Sequence, residues 1–327
     1  MSPKVSILVP IYNVSPFIER CTHSLFNQTF QNIEYIFVND CTPDDSIEKL
    51  QKIIEQYPQR KGTIKIINHK INRGLAATRN TAIDNSNGKY LLQADSDDYI
   101  EPDMVELLYC KAEETQADIT VCDFFEEHKN KNRVIADIIA DDMDKNRSNI
   151  IKAITTRVCI WNKLIKRELY NRCTRLPEGL NYGEDRYITT QLYFLANKIA
   201  KVNKPLYHYI QYNTVSITAK SRNSKHFENA FQCWNFLSDF LKKQHSPYLE
   251  QLNFAKIQHK ASLMINTNSY SLRKKYAKMF YEEETKYYPQ LKHGKRVITF
   301  LTRHRLFFLA QVYHWGVHLF NKFNSQS

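Results

Sequence analysis

Short unbroken apolar runs alternate with segments of helical spacing through residues 4–116. Residues 4–10 (KVSILVP) predict a buried strand closed by a proline, which has no N–H to give to a ladder. Val14, Phe17, Ile18, Cys21 and Leu25 then recur along one helix face. Residues 34–39 (EYIFVN) predict a second strand, and Ile47, Leu50, Ile54 and Tyr57 a second helix. A third strand follows at 64–68, a short helix from Gly74, a fourth strand at 90–94 and a helix over 103–116. Strands alternating with helices of this length predict an α/β fold with a mostly parallel central sheet covered on both faces. Residues 123–150 are polar and irregular, an expected excursion from that sheet. Beyond them, 161–170 and 184–196 read as helices and 206–211 as a strand. From about residue 223 the patterning is helical, and no internal repeat is present.

Composition adds three constraints. A hydrophobic content of 43% with 13% aromatics suits a globular core in a chain of 327 residues. The seven cysteines are scattered without a CxxC pair, which points to a reducing cytosol and away from a disulfide framework or zinc ribbon. No secretion signal is expected at the N-terminus, and no apolar run approaches the ~20 residues of a spanning helix. Charge is uneven: residues 1–220 hold 29 Lys+Arg against 28 Asp+Glu, whereas 221–327 hold 17 against 6. Nearly all of the net +12 therefore sits in the last third, which predicts two regions with different partners.

A nucleotide site is expected at the carboxyl ends of the strands, where ligands of open α/β sheets bind. The glycine-rich phosphate cradles are absent: the first glycine is Gly62, the first turn reads PIYNVSPF, and no GxxxxGK[ST] occurs. Carboxylates stand there instead. Asp40 ends the second strand with Asp44 and Asp45 beyond it, and Asp95, Asp97 and Asp98 (DSDD) end the fourth. Three acids within four residues repel one another unless a cation sits among them, and a hard divalent ion bridging to phosphate is the usual occupant. The plainer reading is a helix N-cap with an acidic first turn.

Taken in order, VSILVPIYN, QTFQNIEYIFVND, NRGLAATRN, LLQADSDD and GED resemble glycosyltransferase family 2, inverting enzymes of the GT-A fold, over residues 4–218. The resemblance implies a catalytic domain over 1–220 with a UDP-sugar donor and a divalent metal (Mn2+ or Mg2+); charge and helical patterning mark 221–327 as a basic helical region. It implies that Pro10, Ile11 and Tyr12 hold the uracil ring and that Asp40 accepts a hydrogen bond from the base. Cys41 stands where the family commonly has glycine, and Thr78 where it has alanine. Arg79 would pair with a phosphate or hold the aspartate loop; a plain surface arginine is the alternative. Asp95 would contact the ribose or orient the loop, Asp97 would be the main metal ligand, and Asp98 would support it. Glu184 and Asp185 match the family's acidic pair, with Asp185 the general base; helix capping is the competing explanation. His208 would complete the metal shell or simply pack, and Trp161 and Lys163 would face the acceptor, Trp161 with core packing as the alternative.

The tail 295–323 mixes cations and aromatics, with Leu301, Arg305, Phe308, Val312, Trp315 and Leu319 near one helical face. That pattern suits a helix lying in an anionic membrane interface, with a helix docked on the catalytic domain as the alternative. The expected protein is a cytoplasmic transferase held peripherally at the inner face of the membrane. Its expected acceptor is a saccharide or lipid-linked saccharide, and no nucleic acid is expected. The competing classes are a sugar-nucleotidyltransferase, which should carry a glycine-rich basic first loop, and a non-catalytic scaffold on a decayed transferase domain.

Overall fold

The computed structural model describes residues 2–153, 156–213 and 224–324. The chain divides into two compact units, Met1–Lys220 and Ser221–Ser327.

The first unit is built on a nine-stranded sheet among the described residues. Its strands are β1 (Val5–Ile11), β2 (Ile33–Asn39), β3 (Ile64–Asn68), β4 (Tyr90–Gln93), β5 (Tyr99–Ile100), β6 (Ile119–Glu127), β7 (Asn132–Ile135), β8 (Lys163–Lys166) and β9 (Ile199–Ile210). The helices between them are α1 (Ile18–Phe26), α2 (Ser46–Gln56), α3 (Leu75–Asp84), α4 (Met104–Thr115), α5 (Met143–Lys152), α6 (Arg167–Arg172) and α7 (Glu184–Leu195). The strand order is β3-β2-β1-β4-β8-β6-β9-β5, with β7 on β6. From the pairings, β1 to β4, β6 and β9 run in one sense and β5, β7 and β8 in the other.

Every residue of β1 is buried, as a strand covered on both faces requires. Pro10 is tolerated there because the β1–β4 ladder stops at Leu8↔Gln93. Its carbonyl instead accepts the Ser96 hydroxyl at 2.6 Å, and its nitrogen, pointing the same way, needs no ladder partner. The acidic segment 95–98 follows β4 directly, held beside the end of β1 by the Ser96 hydroxyl.

Two expectations need correction. Residues 123–150 are not an excursion: β6 crosses the middle of the sheet, and β7 and α5 follow it. Residues 161–170 do not start as a helix. Helix-forming residue types yield to pairing, because β8 fills the gap between β4 and β6, and only 167–172 is helical.

The second unit comprises α8 (Ser224–Lys243), α9 (Leu249–Asn266), α10 (Tyr270–Tyr276), α11 (Tyr281–Tyr287), α12 (His293–Arg303) and α13 (Phe307–Asn324). Phe227, Phe231, Met264, Tyr276, Ile298 and Ala310 form its main core. A buried Lys260–Glu284 pair at 3.0 Å is completed by the Ala277 carbonyl, so neither charge is left uncompensated. The tail is two helices rather than one continuous face. Arg305 takes a left-handed φ of 59°. The Leu306 N–H reaches the Leu301 carbonyl at 2.8 Å and the Arg305 N–H the Thr302 carbonyl at 3.2 Å. This is the Schellman termination, with arginine where glycine is usual. Leu301 packs against the helical core, and the side chain of Leu319 lies outside the described residues.

Gly88 marks where the sheet admits no side chain. A Cβ there would lie 2.5 Å from the Ser6 hydroxyl and 2.6 Å from the Ser6 backbone nitrogen. Gly88→Ala is therefore expected to lower the unfolding free energy by about 1–3 kcal/mol, the usual cost of overpacking. Urea denaturation checks this; an unchanged midpoint would mean that β1 yields freely at Ser6.

Candidate active site

Three loops meet at the carboxyl ends of β1, β2 and β4. The loops after β1 and β2 are stapled by Asp44, which accepts the Ser15 N–H at 2.8 Å and the hydroxyls of Thr42 at 2.7 Å and Ser46 at 2.6 Å. Burial pushes its carboxyl up, but the hydrogen bonds from Ser46, Thr42 and Ser15 outweigh that and hold it below its ordinary range. Cys41 takes a left-handed φ of 57°, so the position keeps the backbone shape that glycine adopts freely, at a cost of about 1–2 kcal/mol. Of the expected uracil segment, Pro10 and Ile11 are buried and Tyr12 is exposed.

Asp40 is buried and accepts the backbone N–H groups of Arg73 at 2.8 Å and Gly74 at 2.7 Å, with His69 Nδ1 at 2.7 Å. It thus anchors the turn that enters α3. Helix α3 then supplies two adjacent side chains with separate tasks. The Asn80 amide donates to the Leu176 carbonyl at 2.8 Å and accepts the Leu176 N–H at 3.3 Å, clasping the loop that feeds α7. Arg79 points to the acids.

The Arg79 guanidinium is buried, and its Nη2 lies 3.1 Å from Asp95, 3.3 Å from Asp185 and 3.9 Å from Glu184. The Asp185 contact is an ion pair whose alignment falls short of a hydrogen bond, and Arg79 Nε and Nη1 have no hydrogen-bond partner among the described residues. Burial would strip the proton from this arginine, yet Asp95, Asp185 and Glu184 together raise its pKa. The acids respond in the opposite sense. Burial pushes Glu184 up to about 8, with Asp185 adding to the effect and Arg79 opposing it. Burial also pushes Asp185 up to about 6, against the pull of Arg79. The Ile160 backbone N–H bonds the Asp185 carboxylate. Two carboxyls driven apart in this way can keep one proton while the other stays basic.

The DSDD segment splits into different environments. Asp95 pairs with Arg79. Asp97 is half-buried, accepts the Asn213 amide at 2.7 Å, and is pushed up to about 6 by burial and by Asp95. Asp98 is 1% exposed, and its oxygens accept the Tyr207 hydroxyl at 2.8 Å and the Ile210 N–H at 2.8 Å. As placed, Asp98 braces the loop against β9 and turns no free oxygen toward a cation.

Three further expected residues lie elsewhere than the resemblance implied. His208 has both ring nitrogens committed, Nδ1 to Glu127 and Nε2 to Glu101, each at 2.7 Å, and is stacked between Tyr99 and Phe125. It has no lone pair left for a metal. Trp161 is 4% exposed, stacked on Tyr207 at 4.2 Å and edge-on to Phe124, so no ring face is open to a sugar. Lys163 is fully buried; its ammonium meets Asp137, Asn162 and the carbonyls of Arg157 and Cys159. That knot fixes the loop carrying Ile160, and hence the N–H that bonds Asp185.

Among the described residues no three His, Cys, Asp or Glu side chains gather into a ready-made cation site. The half-buried Asp97 with Asp95 beside it suits a cation that takes one or two carboxylates from protein and the rest from phosphate and water. Asn213 was not foreseen. It follows β9, 116 residues from Asp97, and no local pattern marks it.

The sequence matches the Glycosyl transferase family 2 profile over residues 6–174. It is 32% identical to EpsH of Bacillus subtilis (strain 168) over 275 residues, which is 81% of this chain and 77% of that protein. The structure superposes on S. aureus TarS 1–349 in complex with UDP-GlcNAc with a TM-score of 0.61 and 19% identity, covering 92% of both chains. It also superposes on the mannosyltransferase PcManGT of Pyrobaculum calidifontis in complex with GDP-Man and Mn2+, with a TM-score of 0.51 and 15% identity over 98% of this chain and 88% of that one. These likenesses show the expected GT-A fold. With the profile spanning more than half of its length and a relative covered over most of its own, the chain belongs to glycosyltransferase family 2.

Proposed function

We propose that this glycosyltransferase moves a sugar, with inversion, from a UDP-sugar to a hydroxyl of a saccharide or lipid-linked saccharide. In this reading residues 1–220 are the catalytic domain, and the enzyme works in the cytoplasm against the inner face of the membrane. The observation that carries the reading is the Arg79 cluster, which joins the acid at the end of β4 to the acids that open α7 through one buried cation. A base and a donor-side carboxylate are thereby held in a fixed relation.

Asp185 is the base. It takes the proton of the acceptor hydroxyl as that oxygen bonds to the anomeric carbon, while the bond from that carbon to the diphosphate breaks and its electron pair leaves with the diphosphate. A pKa raised to about 6 makes Asp185 a stronger base than an ordinary aspartate while leaving it ionised at neutral pH. Glu184 beside it is raised by burial in the same sense. Asp97, with Asp95, would hold a divalent cation, which when bound supplies neutralisation of the diphosphate charge. Tyr12, exposed at the start of the loop after β1, is the side chain offered to the base ring. For the donor, uridine is supported by the motif resemblance and by the UDP-GlcNAc seated in TarS, and GDP-Man in PcManGT names the rival to include in any donor panel.

Four outcomes are expected. Asp185→Asn should cut kcat by ~10²–10⁴-fold and leave donor affinity nearly intact; calorimetric donor binding beside turnover separates the two, and a collapse of affinity with turnover retained would make the residue structural. Because the base must be ionised, kcat/KM of the wild type should fall as pH drops through about 6. Arg79→Gln removes the cation that favours the ionised acids, so this acidic limb should move to higher pH, whereas a purely phosphate-binding arginine would change KM and leave the limb in place. Asp97→Asn should weaken donor binding at least ~10-fold in the presence of Mn2+ and change it little in chelator, consistent with loss of one charged ligand. Equal Mn2+-dependent affinity in mutant and wild type would remove Asp97 from the cation site.

A further inference from the structure

Helix α13 is apolar on two sides. One side is spent inside the second unit: Phe307, Ala310, Gln311 and His314 are buried. Gln311 accepts from the buried Arg273 guanidinium, His314 Nδ1 meets the Ile265 carbonyl at 2.6 Å, and Phe307 sits edge-on to Tyr270. These contacts fix the rotation of the helix, so what its other side shows is held there. That side shows Phe308, Leu309, Val312 and Trp315, exposed by 70, 49, 45 and 52%. Leu306 just before the helix and Phe300 on α12 are exposed as well.

Apolar side chains at the i, i+4 and i+7 positions of a rigidly held helix form a face that calls for a partner. Charge decides which partner. From residue 285 to the end of the chain there are seven Lys and Arg and no Asp or Glu. Among them Lys292, Arg296 and Arg305 are exposed. A second copy docked face to face by two-fold symmetry would set cations against cations, with no acid in this stretch to answer them. An anionic bilayer answers the same cations and takes up the aromatic and aliphatic side chains beside them. No helix among the described residues is long and apolar enough to cross a membrane, which leaves interfacial contact as the mode.

We propose that the face of α13 formed by Phe308, Leu309, Val312 and Trp315, with Arg305 and the exposed cations of the α12 segment, is a docking surface for an anionic lipid bilayer. It gives the membrane-side placement proposed above a defined surface, and its test reads lipid contact instead of turnover. Failure would therefore leave the transferase chemistry standing.

Tryptophan fluorescence supplies the test without modification of the protein. Of the three tryptophans, Trp161 is 4% and Trp234 2% exposed, so a lipid-induced change reports Trp315. With the full-length protein at low salt, vesicles of phosphatidylcholine containing phosphatidylglycerol should shift the emission to the blue, and lipids brominated on the acyl chain should quench it. Pure phosphatidylcholine should do so far less, and raising salt to 1 M, where screening acts within about 3 Å, should reverse the electrostatic part. Phe308→Ser combined with Leu309→Ser changes exposed side chains only; it should lower vesicle partitioning at least ~10-fold and leave turnover of a soluble acceptor unchanged. Arg296→Glu combined with Arg305→Glu should abolish the preference for the anionic vesicles. No blue shift with anionic vesicles at low salt would overturn the proposal. So would a blue shift that grows with protein concentration in the absence of lipid, together with a doubled mass in light scattering, because the face would then belong to a second copy.

Discussion

A guanidinium buried among three carboxylates is the interaction on which the site depends. Removing a cation from water is unfavourable by several kcal/mol unless opposite charges surround it, and the same holds for each acid. Arg79, Asp95, Glu184 and Asp185 satisfy that condition only together, so the end of β4, the middle of α3 and the start of α7 are constrained to one arrangement. The compensation is incomplete. Two guanidinium nitrogens lack hydrogen bonds among the described residues, and burial leaves Glu184 and Asp185 with raised pKa values. A cluster optimised only for stability would pair these atoms, and one used for proton transfer gains from leaving a carboxylate basic.

Around this centre the supporting residues act through backbone atoms. Lys163 and Asp137 are fully buried and fix the loop whose Ile160 N–H bonds Asp185, and the Lys163 charge also favours the ionised form of Asp185. Asp98 holds the DSDD loop to β9 through Tyr207 and the Ile210 N–H, which leaves Asp97 as the acid turned toward Asn213. Asn80 does the same for the loop before α7. Charged residues that look like ligands in the sequence thus divide into those that face the cleft and those that hold its walls.

The second unit follows other rules. Its buried charges, Lys260 with Glu284 and Arg273 with carbonyls and an amide, lock the helices of a unit that carries most of the net positive charge of the chain. Arg305 in the left-handed conformation ends α12 without a glycine, and that turn directs α13 so that one apolar side is buried and the other is shown.

Apart from the two-residue β5, the order of strands and helices from β1 to α4 was legible in the sequence, because uninterrupted apolar runs and helical spacing are local signals. Carboxylates at the ends of β2 and β4 and at the start of α7 were legible for the same reason, and five motifs in sequence order pointed to the family. Strand β6 was hidden because it leads into a polar stretch that reads as loop, and β8 because its residue types favour a helix that sheet pairing overrides. The partners of Arg79 were left open between phosphate and aspartate, since nothing within a few residues of it distinguishes them. His208 and Trp161 were left open between a site role and packing, and Lys163 was placed toward the acceptor, because their surroundings come from Glu101 and Glu127, from Phe124 and Tyr207, and from Asp137. Local spacing sets which element a residue joins. Which charge it meets, and whether it faces water or a neighbour, is set by segments as far as 116 residues away that only the closed fold brings together.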